Sequence, residues 1–168
     1  MGVEIERKFL VCGEGWRHNV GRSRAIEQGY LSVNPDRTIR VRIADGQAWL
    51  TIKGRAKGLV RAEFEYEIPA DDAEAILAQF CAGHSLEKRR YEVREGDDLW
   101  EVDEFFGANR GLVVAEIELE RSDQEFSRPS WLGQEVTGQA RYYNARLVEV
   151  PYAQWSDGKA SGDDEDIL

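Results

Sequence analysis

Glu4, Glu6 and Lys8 fall at alternate positions in the opening stretch MGVEIERKFLV, interleaved with Val3, Ile5 and Phe9. In a β-strand, alternate residues share a face, so such a strand has one charged side and one apolar side. The same sorting recurs down the chain. Arg40 and Arg42 oppose Ile39, Val41 and Ile43, and Thr51 and Lys53 oppose Leu50 and Ile52. Arg61, Glu63, Glu65 and Glu67 oppose Ala62, Phe64, Tyr66 and Ile68. Lys88, Arg90 and Glu92 share one side of a later strand, as do Glu101 with Asp103, and Glu116 with Glu118 and Glu120.

These residue types suit one chemistry. Arginine and lysine bind phosphate oxygens through charge-assisted hydrogen bonds. Carboxylates at i and i+2 hold hard cations such as Mg²⁺ or Mn²⁺, which neutralise phosphate charge and lower the pKa of a bound water. A polyphosphate chain with a divalent metal needs both sets. The plain alternative is an antiparallel sheet with one wet face. That alternative leaves unexplained why some strands carry mainly cations and others mainly carboxylates.

The elements that must position these residues are mostly strands. Runs of period two extend to about Glu120, separated by turn residues, with ADGQ at 44–47 joining two of them as a hairpin. Residues 71–83 read as a helix, with two aspartates at the start, Ile76, Leu77 and Phe80 at helical spacing, and Gly83 after the end. A short helix and a turn closed by Pro129 are expected in 122–137. A final helix is expected over 140–150, packing Tyr142, Leu147 and Val150. The coarse result is a sheet of about eight strands. If it closes, its edges vanish and its interior can hold a ligand, with helices on the outer, apolar face.

Composition bounds the function. At 168 residues the chain forms one domain with room for a real core. A formal net charge of −10 argues against a general nucleic-acid surface. Cys12 and Cys81 fit no metal spacing and read as reduced thiols. No apolar run approaches a membrane span and no targeting segment opens the chain, so cytoplasm is the default location. Residues 156–168 are small, polar and acidic, and are expected to be disordered. His18 and His84 lack paired ligands, the five tryptophans read as packing residues outside the barrel or in helices, and Tyr30 could face the interior or the core.

With those residues in view, the chain resembles the CYTH, or triphosphate tunnel metalloenzyme, family. EIERK matches its Glu-x-Glu-x-Lys signature, and IRVR, TIK, RAEFE, EKRRY, VDEF and AEIELE follow in the family's order. The segment LGQEVTGQARYYN resembles the close of its short bacterial members. The resemblance covers residues 1–152, within a domain placed at 1–155. It implies an α+β, mainly β fold: an eight-stranded antiparallel barrel forming a tunnel, with helices packed outside. It also implies metal-dependent hydrolysis or transfer of triphosphate compounds.

Carried over by position, Lys8, Arg40, Arg42, Lys53, Arg61, Lys88 and Arg90 would cradle the phosphates. Glu4, Glu6, Asp103, Glu116 and Glu118 would hold Mg²⁺ or Mn²⁺, and Glu63 and Glu65 would line the acidic side or orient water. The expected catalytic set is Glu4, Glu6, Lys8, Glu63, Glu65 and Lys88. Relatives often carry lysine where Tyr143 stands, and a basic residue where Ala140 stands; Arg141 and Arg146 are the candidate replacements.

Inorganic triphosphate is the expected substrate, since little added sequence could build a base-reading pocket. The alternatives are a class IV-type adenylate cyclase, a thiamine triphosphatase, a polyphosphate-binding module without turnover, and a wet-faced sheet used for protein association. The implied partner is a small triphosphate or polyphosphate, not nucleic acid or membrane, and a homodimer stays open.

Overall fold

The computed structural model describes residues 2–156. The acidic tail expected to be disordered therefore lies outside the described residues, except for Ser156. Nine strands form one antiparallel sheet: β1 (Gly2–Val11), β2 (Val20–Ser32), β3 (Arg37–Ala44), β4 (Gln47–Gly54), β5 (Val60–Ile68), β6 (Ser85–Glu95), β7 (Asp98–Phe105), β8 (Val113–Glu118) and β9 (Leu132–Glu135). The order is β5-β4-β3-β2-β6-β7-β8-β1-β9, and a further β5–β1 pairing closes the first eight into a barrel. β1 meets β5 along Gly2–Ile5 on one edge and β8 along Glu6–Leu10 on the other. β9 then takes the edge that β5 leaves, at Phe9 and Val11.

Local chemistry explains the connections. The β3–β4 hairpin turns at Asp45 (φ 52°) and Gly46 (φ 76°), and a two-residue turn with both centres at positive φ matches strand twist. Helix α1 (Ala70–Phe80) follows Pro69 and carries Asp71 and Asp72 in its first turn, where carboxylates favour the helix dipole. It buries Ala73, Leu77 and the adjoining Cys81 on the outer face of β3 and β4, against Val41 and Ala48. Gly29 permits that approach: a Cβ there would lie 2.7 Å from Leu77 Cδ2 and 2.6 Å from Cys81 Cβ. A second outer cluster joins Phe9, Trp100 and Trp131, with edge-on ring contacts of 5.6 and 5.7 Å.

A third apolar cluster lies at one end of the barrel. Leu10, Leu86, Phe105 and Val114 face inward by register, and the C-terminal segment covers them with Tyr142, Leu147, Tyr152 and Trp155. Two sequence expectations are corrected here. No helix forms in 122–137: the chain runs as turns and coil and then enters β9. The open edge of β1 takes these backbone groups, with Cys12 N donating to Trp131 O at 2.7 Å and Val136 N to Lys8 O at 2.8 Å. The expected helix over 140–150 shrinks to a 3₁₀ turn (Ala140–Tyr142) and a single turn, α2 (Asn144–Leu147). Tyr143, extended at ψ 135°, separates them. Tyr142 and Leu147 are buried as expected.

Trp49 is also corrected. It pairs with Arg42 and Glu67, which puts it on the charged side of β4, and the Arg42 guanidinium lies 5.4 Å from its ring centre. Among the described residues, no helix is long and apolar enough to cross a membrane.

Candidate functional site

The charged faces of the strands enclose a cavity of about 1100 Å³. Of the residues singled out in the sequence, Glu4, Glu6, Lys8, Arg40, Arg42, Lys53, Arg61, Glu63, Glu65, Lys88, Arg90, Glu116 and Glu118 line it. Asp103 sits just behind that surface, fully buried.

One wall is electrically closed. Asp103 accepts two hydrogen bonds from Arg90, both 2.8 Å, and one from Lys88 Nζ at 2.7 Å. Arg90 also contacts Glu116 at 3.2 Å and Glu101 at 3.0 Å, while Lys8 Nζ lies 3.4 Å from Glu116. Burial works against charge on Asp103, but Arg90 and Lys88 outweigh it and hold the carboxyl below its ordinary value. Glu116 is held below the usual carboxylate range in the same way, by Lys8 and Arg90 against its burial. Burial, aided by Arg90, pushes Lys88 down to about 8, so it is charged at pH 7 but close to titrating.

The facing wall is not closed. Arg40 and Arg42 share one carboxylate, Glu65, at 3.7 and 3.6 Å. Thr51, between them and Glu65, donates to that carboxylate at 2.9 Å and accepts from Arg40 at 3.3 Å. The Nε atoms of Arg40 and Arg42 are buried without a partner, and that of Arg61, which makes no hydrogen bond, lies 3.9 Å from Glu4. Burial, then repulsion from Arg40 and Arg90, pushes Arg42 down to about 10. Unpaired buried donors are costly, and an anion in the cavity would satisfy them.

Carboxylates gather where β1 meets β5 and β8. Glu6 opposes Glu118 across the strand pair. Burial, then Glu116 and Glu4, push Glu6 up to about 8. Glu118 and Glu63 are raised too, first by burial and then by neighbours that include Glu4. Glu4 is the exception: burial raises it, yet Lys53 at 2.8 Å brings it below its ordinary value. Among the described residues, no three His, Cys, Asp or Glu side chains converge tightly enough to hold a metal as they stand. The donor chemistry nevertheless fits a hard divalent cation: every donor is a carboxylate oxygen, and the burial and mutual repulsion that raise Glu6 are what such a cation offsets.

Several contributors escaped sequence reasoning. Arg24 lines the cavity and lies 3.6 Å from Glu101; its strand pattern was the available signal. Gln28 is completely buried, and Asn144 reaches the cavity from α2. Both are neutral, so a search for alternating charge passes over them. Tyr30 faces the cavity, and its hydroxyl accepts from Gln28 Nε2 at 3.3 Å. Of the candidate replacement arginines, Arg146 lines the cavity while Arg141 stacks 3.8 Å over the Trp155 ring. Tyr143 and Ala140 both line the cavity. His18 and His84 are exposed and away from it.

The chain matches the CYTH domain family across residues 2–152. An inorganic triphosphatase of Acetivibrio thermocellus is 43% identical over 157 residues, spanning 94% of this chain and 100% of that protein. An inorganic triphosphatase of Nitrosomonas europaea is 37% identical over 152 residues, spanning 87% and 97%. A crystal structure of an inorganic triphosphatase superposes with a TM-score of 0.63 at 33% identity, covering 88% of this chain and 95% of its own.

Proposed function

Because this chain belongs to the CYTH domain family, we propose that its charged barrel hydrolyses inorganic triphosphate to phosphate and pyrophosphate with Mg²⁺ or Mn²⁺. The observation that carries this reading is the asymmetry across the cavity. The buried Nε donors of Arg40 and Arg42, without partners, share the cavity with a cluster of mutually repelling carboxylates. A pure anion binder has no use for the second set, and a pure metal binder none for the first. The two inorganic triphosphatases, matched over nearly their whole length, support the choice of substrate.

In this reading Arg40, Arg42 and Arg61 take the phosphate oxygens that complete their hydrogen bonding. Lys8, Lys53, Lys88 and Arg90 neutralise further charge along the chain. Glu4, Glu6, Glu116 and Glu118 hold the divalent cation, which supplies charge neutralisation at phosphate and activation of water. Asp103, with its oxygens already occupied by Lys88 and Arg90, orients those two cations instead. Glu63 and Glu65 line the side from which water approaches the terminal phosphorus. As the new P–O bond forms, the bridging P–O bond breaks and pyrophosphate leaves, with the proton of water passing to a carboxylate of that wall. The two free cysteines suit a reducing, cytoplasmic setting.

The test is direct. Purified protein is given inorganic triphosphate, ATP and thiamine triphosphate with Mg²⁺ or Mn²⁺, and phosphate, pyrophosphate and cyclic AMP are measured. Phosphate and pyrophosphate released preferentially from inorganic triphosphate are expected. Cyclic AMP with pyrophosphate from ATP would replace the hydrolase reading with a cyclase, and tight binding without turnover would replace it with a binding module.

A further inference from the structure

Asn144 is the one polar side chain of α2 that joins the buried network of the barrel. Its Oδ1 receives Lys88 Nζ at 3.0 Å and Gln28 Nε2 at 3.1 Å. Lys88 fixes the polarity of this chain of contacts. An ammonium has only hydrogens to give, so the Asn144 atom that meets it must be the oxygen. Gln28 must then present its amide nitrogen to the same oxygen, and that nitrogen also reaches the Tyr30 hydroxyl. The assignment thus propagates from a charged group through two neutral ones.

With Oδ1 committed, Asn144 Nδ2 is left with two hydrogens and no acceptor among the described residues, on a side chain that lines the cavity. Lys88 meanwhile is held from two sides, by Asp103 at 2.7 Å and by Asn144 at 3.0 Å. An amine held by two acceptors keeps one remaining hydrogen direction for substrate, whereas one held by a single acceptor can swing. α2 itself is fixed by its apolar side, through Leu147 in the cluster at the barrel end.

We propose that Asn144 is a substrate-contacting and positioning residue. Its Nδ2 donates to a phosphate oxygen of the bound triphosphate, while its Oδ1 aims the Lys88 ammonium at the same phosphate chain. This rests on the triphosphatase reading for the identity of the ligand. The role belongs to a neutral amide because that position needs an acceptor toward lysine and a donor toward an anion at once; a carboxylate supplies only the first.

The experiment compares Asn144→Ala, Asn144→Asp, Lys88→Ala and the Asn144→Ala/Lys88→Ala double variant with the wild type. It uses steady-state hydrolysis of inorganic triphosphate with Mn²⁺, metal-free calorimetric binding of inorganic triphosphate, and thermal melting. Asn144→Ala is expected to lower kcat/KM by about 10- to 100-fold, the loss typical of one or two hydrogen bonds to charged groups, with melting little changed. In the Lys88→Ala background the same change should cost clearly less. Asn144→Asp keeps the acceptor toward Lys88 and loses the donor, so it should weaken metal-free binding while retaining more kcat than Asn144→Ala. Wild-type affinity in both Asn144→Ala and Asn144→Asp would overturn the proposal, as would an equal loss with and without Lys88. If the wild type binds triphosphate but does not hydrolyse it, the enzymatic reading fails, and the binding comparison still decides the part played by Nδ2.

Discussion

The two walls of the cavity contain the same residue types and solve opposite problems. Along β6, β7 and β8, Lys88, Arg90, Asp103 and Glu116 are buried and matched within the protein, oxygen to nitrogen at 2.7 to 3.2 Å. Across the barrel, Arg40 and Arg42 share one carboxylate at longer range and keep buried Nε donors unpaired. Matched buried charge holds its geometry but contributes little net stability. Unmatched buried charge costs stability and is retained where a ligand completes it. The matched wall fixes the geometry of its cations, and the unmatched wall leaves buried donors for an anion to complete.

The largest effect should come from breaking the matched wall. Asp103→Ala leaves Lys88 and Arg90 buried without their main acceptor, a change expected to cost about 3–5 kcal/mol. That corresponds to a fall in Tm on the order of 10 °C for a domain of this size, read by thermal and urea melting. A stable, normally melting variant would mean that the pairing is dispensable. Arg42→Ala should do the reverse. It relieves repulsion with Arg40 and Arg90, so stability holds or rises, while triphosphate binding weakens by roughly 10- to 100-fold, the loss of a charge-assisted contact. Calorimetry with inorganic triphosphate checks it, and unchanged affinity would remove Arg42 from triphosphate binding.

The carboxylate cluster gives a pH test. Glu6, raised to about 8 in the fold from an ordinary 4.5, binds its proton more tightly folded than unfolded. Its contribution therefore favours the folded state at low pH and fades as pH rises from about 4.5 through 8. In metal-free buffer, Glu6→Gln should remove that decline, so denaturant stability of the variant gains on the wild type between pH 5 and pH 9. Mn²⁺ or Mg²⁺ binding to the wild type at pH 7 should also release close to one proton, seen as a buffer-dependent calorimetric heat and absent in Glu6→Gln. A parallel pH dependence in the two proteins would show that Glu6 is ionised throughout. The smallest effects separate the two C-terminal arginines. Arg146→Ala, at the cavity, should raise KM for triphosphate a few-fold, whereas Arg141→Ala, stacked on Trp155, should leave KM unchanged.

How much of this was legible in the sequence follows from what alternation can encode. Period two sorts a strand's faces, so alternation by itself puts each of Glu4, Arg40, Lys53, Glu63 and Glu116 on the charged face of its own strand. Barrel closure was implied only by resemblance, because pairing Gly2 with Glu63 is a long-range event that no local pattern records. The misread helices failed for related reasons. Residues 132–135 lack a strand's alternating signature and become one because β1 offers an unfilled edge. Residues 140–150 have helical spacing, yet their apolar groups serve a barrel end rather than a helix face. Trp49 looked like packing by residue type, although its position two before Thr51 already put it on the charged side. Asn144 carries no charge and sits outside the strands, so nothing in the alternation pointed to it. The difference between matched and unmatched walls was equally out of reach, since it depends on angstrom-scale separations between strands distant in sequence.

β1 has a consequence for how the molecule is made. Its ten residues pair with segments around residues 60–63, 114–118 and 132–135, so the first of these nine strands to be made lacks two of its three neighbours until the last two are made. At about 5–20 residues per second, translation from Val11 to Glu118, the end of the last barrel strand, takes roughly 5–21 s. Throughout that interval Glu4 and Glu6 have no finished barrel around them. Contacts so distant in sequence also make for slow folding. A growing chain therefore holds no half-built cavity: the acidic stave, the unmatched wall and the barrel-end cover come together only once nearly the whole domain has left the ribosome.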